Sequence, residues 1–150
     1  MLRRFRILVC SWAVIGGTVG YHPEGRESGT HTVTLKESAA SDALFGTMPS
    51  QFSAQLTHKQ SVLSLPPQAV LLGTSDFEPH QAFRIGERAW GVQFHPEFTD
   101  EVMRAYLAVQ ALDIESEGGD AAALLAAVKP APEASSLLQR FSELVLSGRY

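Results

Sequence analysis

The stretch HQAFRIGERAWGVQFHPEF, residues 80–98, decides how the rest of the chain is read. Ala82 to Ile85 and Ala89 to Phe94 are two short apolar runs joined at Gly86-Glu87, the pattern of a β-hairpin. The second run delivers His95 at its C-terminal end. Pro96 follows and biases His95 towards an extended backbone. In an extended chain, positions i and i+2 share a side, so Glu97 is expected beside His95. A carboxylate next to an imidazole fixes its tautomer and stabilises its charged form. The pair is then the base and orienter of a triad that still needs a nucleophile. The plainer reading of the tripeptide is a polar turn after a buried strand.

Downstream of this string the pattern turns helical. Thr99 is placed to cap a helix whose first turn holds Asp100 and Glu101, where negative charge suits the helix dipole. Val102, Met103, Tyr106, Leu107 and Val109 give it an apolar face. The run ESEGG (115–119) breaks it. Asp120 is placed to cap an alanine-rich helix ended by Pro130 and Pro132. Ser136 and Gln139 suggest a capping box for a last helix with Leu137, Leu138, Phe141, Leu144 and Val145 on its face.

Upstream the pattern is mostly strand. THTVTLK (30–36) alternates, with His31, Val33 and Leu35 on one side. Gln51 to Thr57 and Ala69 to Thr74 read as further strands, and LPPQ (65–68) as a turn. Ser41 to Phe45 fits one helical turn, with Ser41 or Asp42 capping and Gly46 stopping it. YHPEGRESG (21–29) reads as a loop. Strands followed by helices predict an α+β domain or the back half of an α/β one.

The totals narrow the function. The chain has 150 residues, 45% of them apolar and 19% charged, which suits a folded domain. The formal charge of −4 argues against a nucleic-acid binder, which needs a basic face. No run of apolar residues is long enough for a transmembrane helix. The one cysteine, Cys10, forms no internal disulfide, so a reduced, cytoplasmic setting is expected. The alternative is export, since Arg3, Arg4 and Arg6 precede an apolar stretch and residues 1–18 could act as a signal. No CxxC, HxxxH or HExxH spacing points to a metal, and no GxxxxGK[ST] loop points to a nucleotide. Neither a metal nor another cofactor is expected.

The string GVQFHPEF (91–98) closely resembles the His-Glu motif of class I glutamine amidotransferases. IGGTVGYHPEGRESGT (15–30) resembles the segment that follows that family's nucleophile helix, and THKQSV (57–62) the stretch lining its glutamine pocket. The nearest branch is the stand-alone, GMP-synthase-like one. The resemblance implies the C-terminal half of a flavodoxin-like α/β domain: a mixed sheet with a hairpin, then C-terminal helices. It divides the chain into a divergent apolar N-terminus (1–14), a partial amidotransferase domain (15–112) and a helical extension (113–150).

The same resemblance implies hydrolysis of glutamine to glutamate and ammonia, with His95 as base and Glu97 as its orienter. His58 is then either a substrate contact or a polar residue ending a strand. The family's nucleophile sits in a G-x-C-x-G turn between strand and helix, and no such string occurs here, so an inactive or truncated member is expected; the alternatives are a non-catalytic binding or regulatory protein and one half of a split enzyme. Counting back from Gly16-Gly17 by the family's spacing lands on Phe5, which has no nucleophilic atom. Cys10 comes later and is flanked two residues away by the bulky Leu8 and Trp12, so a buried structural thiol is expected there. The expected ligand is glutamine if the pocket is complete. The expected partner is a protein covering sheet neighbours that this sequence does not supply.

Overall fold

The computed structural model describes residues 6–9, as backbone, and residues 16–148. Eight strands are described: β1 (Arg6–Val9), β2 (Thr18–Tyr21), β3 (Glu27–Leu35), β4 (Gln51–His58), β5 (Gln60–Ser64), β6 (Ala69–Thr74), β7 (Ala82–Ile85) and β8 (Ala89–Val92). Four helices follow: α1 (Asp100–Val109), α2 (Ala111–Ser116), α3 (Ala121–Ala127) and α4 (Pro132–Ser147). Six strands form one sheet in the order β1-β8-β7-β6-β3-β4, and β2 pairs with β5 in a separate ribbon. The β1–β8 pairing is parallel, with Val9 opposite Val92, and the others are antiparallel. This is the mixed sheet with a hairpin, followed by helices, that the resemblance implies.

The hairpin closes with Ile85 opposite Ala89, and Gly86 turns the corner at φ +60°, a conformation glycine adopts without steric cost. One face of the sheet carries Val33, Phe52, Ala54, Leu56, Trp90, Val92 and Phe94. They pack with Ala134, Leu137 and Leu144 of α4 into the main core. Phe52 meets Phe94 edge to face at 5.7 Å, a favourable aromatic geometry. A second core joins Met103, Leu107, Ile114, Ala121 and Val128 of the helical arm.

The caps at Thr99 and Asp120 form as the sequence suggests: their side chains accept from Val102 N (3.2 Å) and Ala123 N (2.8 Å). The turn at Ser41–Phe45 also forms. Asp42 Oδ1 accepts from Leu44 N and Phe45 N, and Gly46 N returns to Asp42 O at 2.9 Å. A 3-10 turn, Glu37–Ser41, precedes it.

Other expectations shift. The predicted loop at 21–29 gives way to strand from Glu27, because Glu27 pairs with His58 and Ser28 with Thr57 across the β3–β4 ladder. The polar run Gln60–Ser64 is a strand through pairing with β2, a long-range partner that local pattern does not reveal. The helix after Thr99 breaks at Gln110, ahead of ESEGG. α4 starts at Pro132, where a missing N–H is tolerated, and Ser136 Oγ donates instead to Glu133 O at 2.7 Å.

Candidate active site

β8 ends at Val92, and Gln93 and Phe94 continue inward as buried residues. The backbone then leaves the strand. His95 N donates to Gln55 O at 2.8 Å, which ties the segment to β4. Phe98 N donates back to His95 O at 3.2 Å, so residues 95–98 form a turn. His95 Nδ1 lies 2.7 Å from Glu97 Oε1. The expected pair is therefore in contact, but a turn brings it together where an extended chain was expected.

The geometry sets the proton. A carboxylate only accepts, so Nδ1 carries the hydrogen of this contact and donates it to Glu97 Oε1. The His95 side chain is 15% exposed and Glu97 is 46% exposed. The imidazole is sheltered while its orienting acid reaches solvent. Phe98 covers one face of the imidazole, with ring centroids 4.4 Å apart and planes at 25°.

His58 lies at the end of β4 and is buried. Its Nε2 is 3.2 Å from Glu27 Oε2, off the line of a good hydrogen bond, and its Nδ1 is 3.5 Å from Ser61 Oγ. Glu27 also accepts from Ser75 Oγ at 3.0 Å and from Gln81 Nε2 at 2.8 Å. Sequence pattern gave Glu27 no role. Its signal is weak, a lone acid in a turn-rich run, and only the fold shows it to be a buried organiser.

The remaining histidines are spread out. His22 packs on Phe77 at 4.2 Å, His31 Nε2 meets Ser28 O at 2.8 Å, and His80 Nδ1 donates to Val62 O at 2.6 Å. Among the described residues, no cluster of three or more His, Cys, Asp or Glu side chains could hold a metal ion. Nor is any helix among them long and apolar enough to cross a membrane. Cys10 and Phe5 lie outside the described residues.

A cavity of about 880 Å³ opens between the segment Tyr21–Ser28 and the helical arm. Arg26, Lys59, Glu117 and Leu124 line it; His95 and Glu97 do not. Glu117 accepts from Arg26 Nε at 3.0 Å and from Lys59 Nζ at 2.5 Å. Those bonds, Arg26 first, hold the Glu117 carboxyl below its usual value near 4.5.

The sequence family described as glutamine amidotransferase class-I matches residues 10–113, a span that includes the His95–Glu97 turn. The chain belongs to the class I glutamine amidotransferases. GMP synthase of Porphyromonas gingivalis is 42% identical over 76 residues, covering 49% of this chain and 14% of that protein. Gamma-glutamyl peptidase 3 of Arabidopsis thaliana is 30% identical over 93 residues, covering 60% of this chain and 37% of that protein.

The fold agrees with the family. A glutamine amidotransferase from Thermotoga maritima superposes with a TM-score of 0.66 at 24% identity, over 87% of this chain and 55% of that one. A glutamine amidotransferase from Methylobacillus flagellatus gives 0.57 at 24% identity, over 87% and 51%. The chain thus spans about half the length of these solved amidotransferase folds, and less of the two sequence relatives.

Proposed function

We propose that His95 and Glu97 are the base and orienter for hydrolysis of glutamine's side-chain amide. In that reaction a thiol passes its proton to His95 Nε2, and the thiolate attacks the amide carbon. The C–N bond breaks, and ammonia leaves with a proton from the imidazolium. Water then cleaves the thioester to glutamate. Glu97 holds the Nδ1 proton and favours the imidazolium that forms. The observation that carries this reading is the 2.7 Å contact between the two side chains, inside the span that the family matches.

These 150 residues contain no G-x-C-x-G turn, and Cys10 is their one cysteine. The strained turn needs small residues around the nucleophile. We therefore expect this polypeptide alone not to turn over glutamine, and expect the thiol to come from a protein partner seated against the sheet. His58, held by Glu27, would then shape the glutamine pocket. The one cysteine forms no disulfide within the chain, which supports placing the protein in a reduced, cytoplasmic setting.

One observation favours a second reading. β1 runs parallel to β8 with Val9 opposite Val92, and Cys10 follows Val9 in the sequence. On that reading Cys10 is itself the nucleophile. Glutamate production from glutamine by the purified chain, beside Cys10→Ser and His95→Ala, separates the two. No production above background supports the first reading. Production lost in both variants establishes the second and overturns the first.

A further inference from the structure

The cavity of about 880 Å³ is lined by neither His95 nor Glu97, so the pair leaves it without a role. Its lining divides by chemistry. Ile114 of α2 and Ala123, Leu124 and Ala127 of α3 give it an apolar wall. A molecule with an apolar body gains by leaving water for such a wall. Arg26 and Lys59 bring two cations to the same space.

The Arg26 side chain is 8% exposed, and a guanidinium keeps its charge when buried. It therefore needs an anion beside it. Glu117 supplies one, accepting from Arg26 Nε at 3.0 Å and from Nη2 at 3.4 Å, while Gln110 Oε1 accepts from Nη1. Lys59 Nζ donates to the same carboxylate. Two cations thus converge on one carboxylate, an arrangement that selects that chemical group. The group filling it is loosely held. Glu117 is 39% exposed, so water screens its bonds, and a change of rotamer frees its carboxylate without moving the backbone.

An anion added beside Glu117 would face Glu24, Glu27 and Asp120, which also line the cavity. An anion in place of Glu117 leaves the charge around Arg26 and Lys59 as it was. Ser28 points to a polar guest too. It lines the same cavity, and its buried Oγ has no hydrogen-bond partner among the described residues. An acceptor on a bound molecule would offset that desolvation.

We propose that this cavity binds a small monocarboxylate with an apolar body, its carboxylate replacing Glu117 between Arg26 and Lys59 and its body lying against α3. Glu117 is then a resident competitor. It has the advantage of being tethered, and the ligand has the advantage of the apolar wall. Glutamine, with an amide at one end and an ammonium at the other, carries no such body. The site is separate from the His95–Glu97 reading and does not depend on it.

The test is an NMR titration of the full chain with hexanoate, following the backbone amides of Arg26, Ala123 and Leu124, with hexanamide as the uncharged twin. Hexanoate should shift these amides saturably. Hexanamide should bind about tenfold more weakly, the loss of a charge-assisted contact. Glu117→Gln removes the competitor and should tighten hexanoate severalfold; a contact that merely braces the helical arm would give weaker binding or no change. Arg26→Gln should weaken hexanoate about tenfold. If Arg26→Gln does not fold, Lys59→Gln takes its place, with a severalfold loss expected. The proposal is overturned by the absence of saturable shifts, by equal binding of the amide, or by a Glu117→Gln variant that fails to bind more tightly. Displacement of hexanoate by glutamine overturns it as well, because the cavity would then be a glutamine site. Each of these results leaves the His95–Glu97 reading standing.

Discussion

The backbone N–H of His95 donates to the carbonyl of Gln55 at 2.8 Å, so the turn that carries the candidate base hangs from the middle of β4. Gln55 is fully buried. Its Nε2 donates to Lys129 O at 2.8 Å and its Oε1 accepts from Thr30 Oγ1 at 2.8 Å. One residue thereby joins β3, β4, the His95 turn and the chain leaving α3.

Replacing Gln55 by Leu keeps the volume and strips both side-chain bonds. It leaves the Lys129 carbonyl without that donor, which costs about 1–3 kcal/mol. For a chain of this size each kcal/mol lowers Tm by roughly 2–4 °C. A calorimetric scan showing no drop would contradict the bridging role.

Gly91 lies in β8 opposite Phe83, where an added Cβ would meet Phe83 Cε2 at 2.7 Å and Cε1 at 3.0 Å. Gly91→Ala should therefore overpack the hairpin and destabilise by about 1–3 kcal/mol. Pairing it with Phe83→Leu should recover much of the loss, because the ring is what blocks the space. A double-mutant cycle in urea checks this. Simple additivity of the two losses is the result that would refute it.

Asp42 is buried and accepts from Arg84 Nε at 2.9 Å and from Trp90 Nε1 at 3.0 Å, besides the two backbone bonds of its turn. Asp42→Ala removes the acceptor of a buried indole and of a partly buried guanidinium. The cost should be about 3 kcal/mol, the lower end of the range for broken buried pairs, since Arg84 keeps some contact with water. Denaturant midpoints compared with wild type give the number; a loss under about 1 kcal/mol is the contrary outcome.

The Glu117 clasp gives a pH signature. Its folded carboxyl titrates below the usual value near 4.5, first through the Arg26 bond and then through Lys59. A depressed carboxylate contributes stability above the unfolded value and loses it as pH falls through the folded one. The Tm difference between wild type and Glu117→Gln should thus be present at pH 7 and shrink below about pH 4.5. It should also shrink in high salt, because the group is exposed. A difference that grows on acidification would refute the clasp.

Much of the sheet and the His95–Glu97 contact were legible in the sequence, for identifiable reasons. Ala69–Thr74 and Ala82–Ile85 are short runs with turn signals at both ends, and their bounds match the observed strands. Thr99 and Asp120 signal helix starts through their own side chains. What stayed hidden depends on partners far along the chain. β5 is a strand because β2 lies beside it. The clasp of Glu117 on Arg26 and Lys59 unites residues that no local period connects. The capping box expected at Ser136 lost to Pro132, whose fixed backbone starts α4 earlier.

The most direct measurement supplies a thiol from a second chain. A second polypeptide carrying the G-x-C-x-G half of a class I amidotransferase is mixed with this chain, and glutamate production from glutamine is followed. The account predicts turnover above that of either part alone. It predicts a fall of roughly 10²–10⁴ in His95→Ala, and a marked fall in Glu97→Gln. Turnover by the mixture that survives both substitutions would contradict the account.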